Sequence, residues 1–126
     1  MRIRIAAVAA VAVLGTTVAA ISTASASTSA LPKLVGKVGI NDAFVITLKS
    51  STGKNVKTLK SGLYKLAVTD GSQIHNFQIE GPGLDKRVTS VSFMGQKTVT
   101  IHLRKGKYKF YCMPHESQMF GFFTVT

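Results

Sequence analysis

The sequence predicts an all-β domain, built as a two-sheet sandwich or a small barrel. Three observations carry this. From residue 34 onward, apolar and β-branched residues alternate with polar ones over short runs. Turn-forming Gly, Asn, Asp and Lys-Gly signals separate those runs. No stretch of this region carries the 3.6-residue period of an amphipathic helix.

The candidate strands follow in order. Segments 34–40 and 43–49 precede a turn at Ser51-Thr52-Gly53. Segment 63–69 lies between Lys60-Ser61-Gly62 and Asp70-Gly71, and 74–80 runs into Gly81-Pro82-Gly83. Segment 88–93 ends before Gly95, and 97–103 and 107–112 flank Lys105-Gly106. Segment 120–126 is the last. The period of two sets Val99, Ile101 and Leu103 on one face, with Thr98, Thr100 and His102 opposite, so His102 reads as solvent-facing. In the next strand Tyr108, Phe110 and Cys112 share a face opposite Lys107, Lys109 and Tyr111, which points Cys112 toward the core. His75 shares a face with Phe77 and Ile79, at the start of its strand where core meets loop. Met94 reads as core filler.

The N-terminus reads as a signal peptide over residues 1–26. Arg2 and Arg4 precede an apolar run at 5–15, and Ala24-Ser25-Ala26 resembles a cleavage site. The run is shorter than the roughly 20 residues of a membrane span; an uncleaved anchor is the alternative. Residues 27–126 then form a single exported domain, periplasmic or extracellular, without stable membrane insertion after cleavage. That part carries 14 basic and 5 acidic residues, a net charge of +9. The charge favours acidic partners. Without a basic cluster interleaved with aromatics, nucleic-acid binding is not expected.

One cysteine cannot staple an exported chain to itself. Cys112 is followed by His115 and Met119, and His75 lies upstream. Thiolate, two imidazoles and a weak thioether form the donor set of a blue-copper centre. Two other readings compete. Cys-His nucleophilic catalysis leaves the thioether idle and lacks an oxyanion arrangement. Zinc gains little from a thioether. Oxidase or reductase chemistry needs more copper sites, and only His102 remains to build them.

The stretches His75-Asn76-Phe77 and Tyr111-Cys112-Met113-Pro114-His115-Glu116-Ser117-Gln118-Met119-Phe120-Gly121 resemble the cupredoxins, the small blue-copper proteins that include plastocyanin, amicyanin and azurin. The C-x-P-H piece is similar to plastocyanin and amicyanin, and the H-x-x-x-M spacing to azurin. The resemblance implies a two-sheet Greek-key β-sandwich and one type 1 copper ion. It implies His75 as the buried ligand, Cys112 as the thiolate, His115 as the ligand whose edge reaches solvent, and Met119 as the axial ligand. Gln118 is the alternative axial donor. Asn76 would brace the cysteine loop, and Met113, Pro114 and Phe120 would collar His115 as the electron entry surface. The implied function is shuttling of single electrons between redox proteins, by a monomer that is not an enzyme. Extracytoplasmic copper carriage, storage or delivery is the alternative. Lys105, Lys107 and Lys109 would steer acidic partners, or simply form a solvated face.

Overall fold

The alternating segments pair into two sheets in a computed structural model that describes residues 10, 12, 15–25 and 29–126. The strands are β1 (Lys33–Val38), β2 (Ile46–Ser50), β3 (Thr58–Leu59), β4 (Gly62–Asp70), β5 (Gln78–Gly81), β6 (Leu84–Arg87), β7 (Gly95–Leu103), β8 (Gly106–Tyr111) and β9 (Phe120–Val125). One sheet has the order β2-β1-β4-β7 and the other β3-β9-β8-β5-β6. The β1–β4 and β3–β9 pairs are parallel, and the remaining pairs are antiparallel. Two short 3-10 turns, Ile40–Asp42 and Met113–His115, complete the elements. Most of the predicted signal peptide's apolar run, and the start at Ser27, lie outside the described residues. Among the described residues no helix is long and apolar enough to cross a membrane.

The inward faces interdigitate as the period-two pattern requires. Leu34 and Val38 from β1, Leu66 and Val68 from β4, and Ile101 and Leu103 from β7 meet Ile79, Tyr108, Phe110 and Phe123 from the other sheet. Gly121 sits opposite Phe110 in the β8–β9 register, and a Cβ there would overlap the Phe110 ring. Gly121→Ala therefore forces that ring aside. We expect a loss of about 1–3 kcal/mol in urea unfolding, the usual cost of overpacking.

Several boundaries differ from expectation. Residues 39–45 turn instead of extending, because Gly39, Asn41 and Asp42 adopt left-handed backbone angles. Segment 74–80 enters its strand only at Gln78. The backbone N–H groups of Asn76 and Phe77 are drawn to the Cys112 sulfur and the Thr89 hydroxyl, not to a neighbouring strand. Segment 88–93 is not a strand: Val88 and Thr89 both donate to the Phe77 carbonyl, and a turn closes from Phe93 N–H to Ser90. The strand lies just before it, at β6. Met94 is 62% exposed and fills no core. His102 is exposed, as its strand face requires.

Candidate metal centre

Three loops meet at one end of the sandwich. The loop between β1 and β2 spans 39–45, the crossover from β4 to β5 spans 71–77, and the loop between β8 and β9 spans 112–119. Cys112 continues β8 in extended geometry, which keeps its side chain on the core face. Pro114 then helps set a 3-10 turn. His115 N–H donates to Cys112 O at 3.1 Å and Met119 N–H to His115 O at 2.8 Å. Cys112 N–H donates to Met119 O at 3.0 Å, closing the loop on itself.

This folding gathers the donors. His75 Nδ1 and His115 Nδ1 lie 3.0 Å apart, and each is 3.6 Å from Cys112 Sγ. A point in the plane of that triangle lies about 2 Å from all three atoms, close to the roughly 2.0–2.3 Å bonds of a zinc-sized ion to imidazole and thiolate. The three residues form the one candidate metal cluster of His, Cys, Asp and Glu among the described residues. His75 and Cys112 are fully buried, and His115 is half-buried. Met119 is buried in the same core cluster as Cys112, whereas Gln118 is exposed.

Burial pushes the Cys112 thiol above its ordinary value, while the backbone N–H groups of Asn76 and His115 pull it the other way. Burial also raises the Asp70 carboxyl, which accepts from Ser72 N–H at 3.1 Å. The Tyr111 phenol is pushed up to about 12 by burial and by its hydrogen bond to Glu80. The Asn76 Oδ1 accepts from Met113 N–H at 2.7 Å, which links the β4–β5 crossover to the cysteine loop. Asn76→Ala orphans that donor. We expect about 1–3 kcal/mol lower stability in the apo-protein and roughly 10–100-fold weaker copper binding, read by thermal unfolding and competition titration.

The sequence did not single out the β1–β2 loop. Phe44 packs edge-on against both imidazoles, with ring centroids 4.8 Å from His75 and 4.6 Å from His115. His75 Nε2 lies 3.4 Å from the Asp42 carbonyl. Donation there leaves Nδ1 with the lone pair that a metal needs. Gly39 admits no side chain, since a Cβ would stand 2.7 Å from the His75 ring. The one advance signal was Gly39 two positions before turn-forming Asn41-Asp42, which marks a turn but not its contact with a histidine.

The residues expected to collar His115 differ in their surroundings. Met113 is 43% exposed beside His115, and Pro114 is exposed too. Phe120 instead faces outward against Phe122 and the Lys109 ammonium. Lys109 is also ion-paired with Glu116 at 2.5 Å. The lysine strip on β8 is thus partly neutralised.

A two-sheet β-sandwich with a buried cysteine and two imidazoles at one end is a mononuclear metalloprotein of the copper class. The chain belongs to the plastocyanin/azurin family of copper binding proteins, whose description matches residues 33–126. Copper is its cofactor, and the donor triangle fits it. Solved structures of rusticyanin share the fold. A methionine-to-glutamine variant has a TM-score of 0.54 at 18% identity, covering 75% of this chain and 76% of that one. Reduced rusticyanin at 1.9 Å has a TM-score of 0.52 at 20% identity, covering 75% and 78%. No curated protein matches the sequence significantly.

Proposed function

We propose that this is an exported, single-domain electron carrier. His75, Cys112, His115 and Met119 would hold its copper, with Met119 rather than Gln118 as the weak fourth donor. The supporting observation is the triangle of two Nδ1 atoms and one Sγ, with sides of 3.0, 3.6 and 3.6 Å. Burial of Met119 beside Cys112, against an exposed Gln118, supports the axial assignment. Bound copper supplies a one-electron Cu(I)/Cu(II) couple. The chain's own residues hold the donors in place: Asn76 fixes the cysteine loop, and Phe44 and the Asp42 carbonyl fix the rings. Restrained donors change little on oxidation, which favours rapid exchange.

His115 is the donor nearest solvent, so a redox protein docks at that end, on Met113 and Pro114. No substrate is turned over there. The test is copper loading followed by repeated reduction and reoxidation. The expected result is an intense visible thiolate-to-copper band that bleaches and returns. Absence of the band would overturn the proposal. Slow redox exchange with direct metal handover to an apo-acceptor would assign copper carriage instead.

A further inference from the structure

The lysines are spread along the chain, but the fold does not leave them spread in space. On the four-stranded sheet the outward positions of β1 are Lys33, Val35 and Lys37, with Lys65, Ala67 and Thr69 opposite them on β4. Lys49 and Thr47 face Val35 and Lys37 from β2, and Thr98 and Thr100 extend the face on β7. All four lysines are exposed. Lys33 and Lys65 stand directly opposite each other, an arrangement that like charges disfavour.

None of the five acidic residues relieves this face. Asp70 ends β4 but is buried inward, and Asp42 bonds to Ser72 in the loops. Glu80 and Asp85 lie on the other sheet, and Glu116 is paired with Lys109. Acidic side chains therefore lie among the basic ones on the five-stranded sheet and are absent from the outward face of the four-stranded one.

Two hollows mark the same side. A shallow depression of about 200 Å³ is lined by Lys33, Val35, Ala67, Thr69, Gln96 and Thr98. A second, of about 350 Å³, lies between Lys37 and Lys49 and is lined by Ile40, Ala43 and Val45. Ile40 and Val45 are 40% and 56% exposed.

We propose that this face docks the protein onto an anionic phospholipid bilayer. Lysines are compact point charges suited to phosphate headgroups. The face carries small threonine, valine and alanine side chains where a protein interface concentrates aromatics and arginine, and protein interfaces are depleted in lysine. Its one aromatic ring is the His102 imidazole on β7, too little to stack a run of bases. The apolar hollow rimmed by Lys37 and Lys49 matches the boundary between headgroups and acyl chains. Docking in this way lays the sandwich on its side and leaves the His115 end open at the edge of the contact. The inference does not rest on the copper reading.

The test is co-sedimentation of residues 27–126, which hold every strand and the whole core, with phosphatidylglycerol/phosphatidylcholine vesicles at low salt. A face variant, Lys33→Gln, Lys37→Gln, Lys49→Gln and Lys65→Gln, is compared with an equally charged off-face variant, Lys54→Gln, Lys57→Gln, Lys105→Gln and Lys107→Gln. The face variant should lose about fivefold in partitioning per lysine removed. The off-face variant should stay near the parent chain, and pure phosphatidylcholine should bind neither. Val45→Ser should lower the salt-resistant part of binding. Equal losses in both variants would reduce the effect to net charge and overturn the proposal, as would full binding by the face variant. A loss confined to poly-glutamate, with vesicle binding intact, would assign the face to acidic proteins and overturn it too. Circular dichroism checks that each variant keeps its β fold.

Discussion

Cys112→Ser is expected to abolish the intense visible band of the copper-loaded protein and to weaken copper binding more than the roughly 100-fold that loss of an outer partner costs. Serine is slightly smaller than cysteine and offers a neutral hydroxyl in place of a soft thiolate, so the strongest donor disappears while the shape of the site is nearly kept. The Asn76 N–H that now points at the sulfur, at 3.4 Å, keeps an oxygen to bond to. The apo-fold should survive, as circular dichroism will report. Loss of the band with the fold intact separates a metal ligand from a packing residue. A surviving band would remove Cys112 from the centre.

Copper uptake by the apo-protein should strengthen with pH, by about tenfold per pH unit, until the pH passes the thiol's raised value. The apo thiol is buried and held above its ordinary value of 9.0, so it is protonated at neutral pH. The metal needs the thiolate, and each binding event therefore expels one proton. Folding runs the other way. A thiol raised in the folded state contributes stability that is fully present below the unfolded value and is lost as pH rises through the folded one. Raising the pH should thus weaken the apo-protein in urea while tightening its grip on copper. A flat binding profile, measured by competition with a chelator of known pH behaviour, would show that the thiol is already ionised.

Much of this centre was legible because its chemistry is local. Cys112, His115 and Met119 stand within one loop, and strand parity alone aims Cys112 inward. His75 was legible as a donor but not as a loop residue: its neighbours Asn76 and Phe77 have the composition of a strand, while their N–H groups bond to a sulfur and a hydroxyl that only the folded chain brings near. The edge strand β6 was missed because Asp85, Lys86 and Arg87 are exposed, leaving no alternation to read. Val88 was misread for the opposite reason, since it is buried without belonging to a ladder. Phe44 touches both imidazoles across a left-handed turn, and no spacing rule connects residue 44 to residues 75 and 115. The uneven distribution of lysine arises only from register, when strands far apart in the chain are laid side by side.

His75 and Cys112 are separated by 37 positions and come from different parts of the fold, whereas Cys112 and His115 are only three apart. An ion held by all three closes a long chain loop in a domain that has no disulfide. A covalent bridge over a loop of that size constrains the unfolded chain by roughly 3–4 kcal/mol. The three-residue Cys112–His115 spacing would still allow chelation in an unravelled chain, so detachment of His75 would be the event that opens the loop. Metal retention and mechanical integrity thus share one weak point, the hold of the β4–β5 crossover on its histidine.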